Sequence, residues 1–284
     1  MSTSPDIETV ERTGYDTTFV GPRVELPTDT DTDDAVMLEG SPVVHYTRFS
    51  LSLSKSRRLC RWVAWNIDGS SLPSDGADPI GRDDLEFTLD PRIDAAVQTD
   101  NSVYKRNRLD RGHVARRADL LWGDREEALR ANADSFFLTN ITPQMDNFNQ
   151  SALKGVWGRL ENALLDNTDE ENSRVSVMGG PVLADTDPPY RTVRVPIEFW
   201  KLLIYRVGDE LRTRGFIVTQ SLDGLKARDP FADFVVMEKT VEQIADKAAV
   251  TFDPALRDAQ FRGRPRTRGR PQPGVIRDTA QIEW

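Results

Sequence analysis

The separation of strand-like from helix-like segments is the feature that most constrains the fold of this chain. Residues 43–69, VVHYTRFSLSLSKSRRLCRWVAWNIDG, contain two runs of β-branched, aromatic and alternating residues around the turn-like SKSRR. Residues 173–220 contain three more such runs, separated by glycine and proline turns. Each pattern predicts a strand, and the short connections between them predict antiparallel pairing.

Helical patterns are fewer, and they do not alternate with the strands. The clearest is QSALKGVWGRLENALLDN, where apolar residues recur at three and four positions: Leu153, Val156, Trp157, Leu160 and Leu164. Residues 125–140, REEALRANADSFFLTN, predict a short helix and then a strand ending at Asn140, and VEQIADKAAV predicts another short helix. Segregated helices and strands are typical of an α+β fold, here with a mostly antiparallel central sheet and flanking helices.

Composition shifts divide the chain into three parts. Residues 1–42 are polar, acidic and punctuated by proline, which predicts an irregular N-terminal arm across the domain. Residues 43–256 carry the strand and helix patterns and predict one domain. Residues 257–284 predict an extended, arginine-rich tail.

The tail contains Arg-Gly-Arg-Pro twice, at residues 262–265 and 268–271. This tetrapeptide resembles the core of AT-hook segments, which place arginines in a narrow minor groove of DNA. The alternative is a solvated, arginine-rich terminus without a DNA contact.

Composition also excludes several classes of function. Cys60 is the only cysteine and His45 and His113 are the only histidines, so neither an intrachain disulfide nor a three-histidine zinc site can form. A GxSxG nucleophile motif is absent. No run approaches the roughly 20 apolar residues of a membrane helix, and the N-terminus lacks the pattern of a secretory signal. We therefore expect a cytoplasmic protein with no membrane partner, with leaderless export left open.

Charge is distributed unevenly along the chain. The net charge is −9, but acidic residues concentrate in residues 28–40 and 166–172, whereas arginines surround His113. The acidic runs lack the glycine and closing glutamate of a calcium loop and predict solvated loops. A locally basic cleft can bind a polyanion despite the overall charge.

His113 lies in LDRGHVARRADLLWG, between a glycine and a valine. Such a histidine is either a general base or an ordinary histidine at the end of a strand. The nearby loop that leads into the clearest helix contains five amide side chains: Asn140, Gln144, Asn147, Asn149 and Gln150. Single asparagines are common in turns and caps, but an amide oxygen is also a neutral ligand suited to Mg²⁺.

Glu161 follows Asn149 by twelve positions on the predicted helix. At 3.6 residues per turn the two side chains lie roughly 120° apart around the helix axis. Glu161 can therefore approach a metal bound at Asn149 only through a water molecule or from the edge of the metal's inner coordination shell. The alternative role for Glu161 is a surface salt bridge.

Two motifs together resemble the DNA/RNA non-specific endonucleases of the ββα-metal type. They are DRGH at residues 110–113 and TNITPQ…FNQ…VWGRLEN at residues 139–162, and the resemblance extends from about residue 45 to residue 245. Against the shortest spacing in that family, four extra residues separate FNQ from VW, and Leu165 stands where some members have arginine.

The resemblance implies a role for individual residues. His113 would be the general base, Asn149 the direct ligand of Mg²⁺ or Mn²⁺, and Glu161 the acidic residue of the helix. Arg111 is the arginine of the signature, Asn140 the supporting asparagine, and Arg82 a further arginine matched by context. The chemistry implied is phosphodiester hydrolysis to 5′-phosphate products, in which Arg82 or Arg111 stabilises the developing charge.

A site that contacts the phosphate backbone and not the base edges is expected to have weak sequence specificity. The predicted substrates are therefore DNA and also RNA. Arg116, Arg117 and Arg159 are predicted phosphate contacts, and ordinary surface arginines are the alternative for each. A non-enzymatic nucleic-acid binding module is the alternative function. We also expect an inhibitor or an activating partner, because unrestrained nuclease activity harms a cell, and the family resemblance leaves room for a homodimer.

Overall fold

The computed structural model describes residues 11–72, 80–82, 85–150, 157–158, 160–162, 174–222, 235–260 and 275–276. Within these residues the fold is built on an eight-stranded sheet of order β14-β12-β11-β10-β7-β4-β3-β2, in which all neighbours pair antiparallel. Its strands are β2 (Val44–His45), β3 (Phe49–Leu53), β4 (Cys60–Asp68), β7 (Arg174–Pro181), β10 (Glu198–Val207), β11 (Glu210–Thr219), β12 (Val235–Lys239) and β14 (Val275–Ile276).

Smaller elements surround this sheet. Three two-stranded pairings complete the strands: β1 (Thr28–Asp29) with β13 (Val250–Thr251), β5 (Leu109–His113) with β6 (Ile141–Met145), and β8 (Pro189–Tyr190) with β9 (Val193–Arg194). The helices are α1 (Arg125–Ser135), α2 (Asp146–Asn149), α3 (Val241–Ala248) and α4 (Pro254–Asp258), together with helical residues at 157–158 and 160–162. The α+β class and the antiparallel sheet predicted from the sequence are confirmed.

Apolar clusters cover both faces of the central sheet, and the side chains of β4 point alternately into one cluster and the other. The nine residues of β4 are all buried. Trp62 and Ala64 pack into one apolar cluster, whereas Val63 and Trp65 pack into a second cluster on the opposite face. Successive side chains of a strand point to opposite faces, so both sides of the sheet bury apolar surface. The β5–β6 ribbon lies on the side of the second cluster, which includes Leu109, Ile141 and Met145.

The acidic N-terminal arm is packed into the fold from about Tyr15, well before the change in composition at residue 43. Tyr15, Phe19 and Val24 are buried against the face of the sheet opposite the ribbon. The backbone N–H of Tyr15 donates to Ser50 Oγ at 2.9 Å. Folded structure therefore begins well before Val43, because the apolar residues scattered among the acidic ones are enough to anchor an irregular segment.

Other differences from the sequence-based expectations are local. The strand expected to end at Asn140 instead begins at Ile141, after a 3₁₀ turn at Leu138–Asn140. Residues 254–258 form α4, so the start of the expected tail is helical. Both Arg-Gly-Arg-Pro repeats lie outside the described residues, as does much of the predicted helix around Leu153 and Leu164. Among the described helices, none has the length and hydropathy needed to cross a bilayer.

Candidate active site

A two-stranded ribbon and a short helix carry the candidate site. In the ribbon Asp110 pairs with Gln144, and His113 pairs with Ile141. Helix α2 begins directly after β6 and brings Asn149 back beside β5. The two sequence motifs are thus adjacent because β5 and β6 pair across a gap of 27 residues, between His113 and Ile141.

Asn149 is held by a residue of the DRGH motif. Its Nδ2 donates to Asp110 Oδ2 at 3.1 Å, and Gln150 Nε2 donates to the same oxygen at 2.7 Å. The Nδ2 group of Asn149 is therefore engaged in a hydrogen bond, whereas no hydrogen bond to Asn149 Oδ1 is found among the described residues. Asp110 thus orients the amide so that the oxygen remains available as a ligand, a role that the sequence analysis did not assign.

His113 stands at the end of β5 beside two aromatic rings. The ring centroids of Phe87 and Phe136 are each 5.5 Å from the imidazole centroid. Nε2 is buried and has no hydrogen-bond partner within the described part of the chain. Burial, and then the positive charges of Arg82, Arg117 and Arg116, lower the pKa of His113 from 6.5 to about 3. The imidazole is therefore neutral at neutral pH, as a general base must be before it accepts a proton.

Asn140 fixes the chain immediately after His113. It is fully buried; its Oδ1 accepts from the N–H of Ala115 at 2.9 Å, and its Nδ2 donates to the Ala115 carbonyl at 3.0 Å. A third bond, at 3.2 Å, joins Nδ2 to the Ser135 carbonyl at the end of α1. Asn140 is consequently a structural clamp behind the histidine, consistent with the supporting role implied by the resemblance.

The glycine of DRGH makes room for a buried amide. A Cβ atom at Gly112 would overlap with Oε1, Cδ and Cγ of Gln144. Gln144 is fully buried, and neither polar atom of its amide has a partner in the described structure. The close approach requires glycine on sterics alone, because Gly112 does not have a positive φ.

We expect Gly112→Ala to destabilise the protein by about 1–3 kcal/mol, the usual cost of overfilling a packed site. Thermal or urea unfolding measures the change. The double variant Gly112→Ala/Gln144→Ala removes the overlapping atoms. It should be more stable than Gly112→Ala alone. If it is not, contact with Gln144 is not what restricts position 112.

The predicted arginines have different environments. Arg111 donates from Nε to Asn101 Oδ1 at 2.6 Å, and its guanidinium lies 5.1 Å from the Tyr104 ring centroid. Arg82 is exposed, and its charge acts on His113. Arg116 donates from Nη2 to Asn162 Oδ1 at 2.7 Å, while its Nη1 is buried without a partner in the described residues.

The prediction for Arg117 is wrong. Its side chain is buried, with Nε donating to Asn132 Oδ1 at 2.5 Å and Nη2 to the Ile80 carbonyl. These bonds tie the segment after His113 to α1 and leave the guanidinium inaccessible to a phosphate. Arg159 lies outside the described residues.

Glu161 is buried, so it does not form a surface salt bridge. Its Oε1 lies 3.0 Å from Nζ of Lys201, a residue on β10 that the sequence analysis passed over. Asp119, also missed, accepts from Trp65 Nε1 at 3.0 Å through Oδ2, while its Oδ1 has no described partner. Burial raises the pKa of Asp119 to about 6 against the lowering effect of Arg116 and Lys201, and Glu161 raises it further. The signal in the sequence was a charged residue inside an apolar run: RADLLW for Asp119 and EFWKLLIY for Lys201.

Several buried polar atoms in this region have no hydrogen-bond partner within the described residues. They are His113 Nε2, Arg116 Nη1, Asp119 Oδ1, Gln144 Oε1 and Nε2, Asn147 Oδ1 and Trp157 Nε1. Each of these atoms can still donate or accept a hydrogen bond. Within the described residues no three His, Cys, Asp or Glu side chains converge as metal ligands. The donors present fit a hard cation held by one amide oxygen, with water completing its coordination.

The pattern of the DNA/RNA non-specific endonuclease family matches residues 34–259, and the chain belongs to that family. Among similar proteins is the uncharacterized protein y4fB of Sinorhizobium fredii, 34% identical over 227 residues, which cover 74% of this chain and 33% of y4fB. The mitochondrial nuclease EXOG of Danio rerio is 28% identical over 231 residues, 76% of this chain and 62% of EXOG. The chain thus matches less than two thirds of the length of these relatives.

A crystal structure of an EndoG/EndoGI complex, described as showing the mechanism of EndoG inhibition, contains a similar fold. The TM-score is 0.57 at 22% sequence identity, covering 76% of this chain and 89% of the other. The similarity supports the fold assigned to this chain.

Proposed function

We propose that this protein is a metal-dependent endonuclease that hydrolyses phosphodiester bonds of DNA, and also of RNA, with little sequence preference. The observation that carries the proposal is the neutral, unpartnered Nε2 of His113 on a ribbon that also orients the Asn149 amide. Family membership supports the same reaction class. A ring nitrogen without a protein partner can accept a proton from water, as a general base does.

In this mechanism His113 Nε2 accepts the proton of the attacking water. The Asn140 clamp and the rings of Phe87 and Phe136 fix the imidazole in place. Arg111, stacked beside Tyr104, and the exposed Arg82 hold the phosphate and the charge that develops on it. Attack by water on phosphorus with departure of the 3′ oxygen leaves a 5′-phosphate and a 3′-hydroxyl.

Mg²⁺ is the proposed cofactor, and Mn²⁺ is expected to replace it. Asn149 Oδ1 would hold the ion, Asp110 would orient that amide, and Glu161 would act through metal-bound water. When bound, the cation supplies positive charge to the scissile phosphate and to the leaving oxygen. An amide ligand keeps the local charge positive, which favours approach of a polyanion.

A protein inhibitor is a proposed partner, in keeping with the EndoG/EndoGI complex. An inhibitor that covers the ribbon and α2 would block the base and the metal ligand together.

Incubation of the full chain with supercoiled plasmid tests the activity. In Mg²⁺ or Mn²⁺ we expect nicked circles, then linear DNA and small fragments, and we expect excess EDTA to stop the reaction. Single-stranded RNA in parallel reactions measures the second substrate. Cleavage that continues in excess EDTA would contradict metal dependence, whereas plasmid that is retarded in a gel but remains intact would favour the binding module.

A further inference from the structure

Lys201 is a fully buried lysine in the middle of the central sheet. It lies on β10 between Trp200 and Leu202, and its side chain has no exposed surface. Alternation places Lys201 on the same face of the sheet as Phe199 and Leu203, which pack into the apolar cluster shared with the ribbon. The ammonium group therefore points toward the side of the sheet that carries the candidate active site.

The Lys201 ammonium has one anionic partner and two aromatic ones. Nζ donates to Glu161 Oε1 at 3.0 Å. It lies 4.2 Å from the ring centroid of Trp157 and 5.3 Å from that of Trp65. Cation–π contacts hold an ammonium without competing for the carboxylate. Lys201 is thereby confined between two rings and hydrogen-bonded to Glu161, and its charge also acts on the buried Asp119.

Contacts of the same cluster extend toward His113. Trp65, which touches Lys201, also donates from Nε1 to Asp119 Oδ2 at 3.0 Å. Arg116, three residues after His113, bonds to Asn162, the neighbour of Glu161. The helix that carries Glu161 is thus tied to the segment that carries the general base.

Stability does not account for this pair. Buried ion pairs contribute little net stability, and well-packed apolar residues can often replace them without loss. Met or Leu would suit the surroundings of Lys201, which are aromatic and aliphatic. An effect of the charge on the group that it contacts is therefore a reason for Lys201 that packing does not supply.

We propose that Lys201 is a positioning residue, whose ammonium holds the Glu161 carboxylate in a fixed orientation toward the metal side of the active site. The inference rests on the proposed function, since it assigns Glu161 to the hydration shell of the bound cation. Residues that hydrogen-bond a direct metal ligand commonly change metal affinity or activity by about 10- to 100-fold, and Lys201 lies one contact farther from the ion, so its effect is expected near the lower end of that range.

Lys201→Met tests the inference, because methionine keeps an unbranched side chain and removes the charge. The Mg²⁺ concentration for half-maximal plasmid cleavage should rise by about tenfold. Lys247→Met is the control, since Lys247 forms a partly exposed ion pair with Glu198 at the edge of the same fold. In a Glu161→Gln background, Lys201→Met should add little further effect. An unchanged Mg²⁺ titration for Lys201→Met, or fully additive effects, would overturn the proposal.

A measurement on the wild-type chain avoids any folding defect in the variant and does not depend on activity. With lysine labelled by ¹³C at Cε, the signal of Lys201 should be displaced by the ring currents of Trp157 and Trp65. Substoichiometric Mn²⁺ should broaden the Lys201 signal more than the Lys247 signal. Equal broadening of the two signals would show that the Lys201–Glu161 pair does not face the metal. A wild-type protein that fails to cut nucleic acid yet shows selective broadening would refute the proposed function while leaving the placement of Lys201 intact.

Discussion

Replacing His113 with alanine is expected to lower the rate of plasmid cleavage by about 10²- to 10⁴-fold, the usual contribution of a general base. The effect follows from geometry, because the described structure offers no second imidazole near the ribbon: His45, the other histidine, is on β2 and its Nδ1 lies 2.8 Å from Ser50 Oγ. Initial rates at saturating Mg²⁺ and DNA measure the loss.

His45→Ala is the matched control for this experiment. It removes a histidine of the same fold that is bonded to Ser50 and lies away from the ribbon, so its cleavage rate should stay near that of the wild type. Circular dichroism and thermal melting should show that His113→Ala remains folded, since the Asn140 clamp on Ala115 does not involve the imidazole. A His113→Ala protein that cuts at the wild-type rate would make the histidine structural.

Asn149→Ala is expected to raise the Mg²⁺ concentration needed for half-maximal cleavage by more than about 100-fold. Its amide oxygen is the one proposed direct protein ligand, and the loss of a ligand should exceed the effect of an outer partner, which is commonly 10- to 100-fold. Activity as a function of Mg²⁺, with the ion also titrated by calorimetry, separates weaker binding from slower chemistry.

Gln150→Ala provides a close control for Asn149→Ala. Both side chains donate to Asp110 Oδ2, at 3.1 Å from Asn149 and 2.7 Å from Gln150, but Gln150 is exposed. If the two positions merely brace Asp110, both variants should shift the Mg²⁺ titration alike. A shift confined to Asn149→Ala identifies the ligand, and Gln144→Ala should produce a smaller one. Identical titrations for the wild type and Asn149→Ala would place the ligand elsewhere.

Local patterns were sufficient for most of the sheet. The strands around Val63, Val177 and Ile217 were predicted because β-branched and aromatic residues recur between turn residues, a signal that depends on near neighbours alone. The predicted position of strand β6 was wrong because its sequence, ITPQM, contains a proline and two polar residues and does not show a strand pattern. Pro143 is tolerated there because the ribbon has only two strands, and each of them is an edge.

The residues of the site also divide into those that the sequence predicts and those that only the tertiary structure brings together. The DRGH, TNITPQ and FNQ motifs by themselves lead to the proposed roles of His113, Asn140 and Asn149, because each motif is a short continuous segment whose residue types suit one chemistry. The sequence could not reveal that Asp110 orients Asn149, since that contact depends on α2 folding back across the ribbon. The same limit explains why Arg117 appeared available to a phosphate when its guanidinium is enclosed by Asn132 and the Ile80 carbonyl.

The sequence by itself determined the α+β class and the antiparallel strands, and it supplied the proposal of His113 as base and Asn149 as amide ligand, since these depend on residue type and short-range patterns. The tertiary structure alone decided which charges are buried together. Glu161 and Lys201 are 40 positions apart, and Trp65 and Asp119 are 54 apart. Whether such residues meet depends on strand order and on how the helix packs over the sheet. The strength of their interaction depends on the exclusion of water, a property of the assembled core and not of any segment within it.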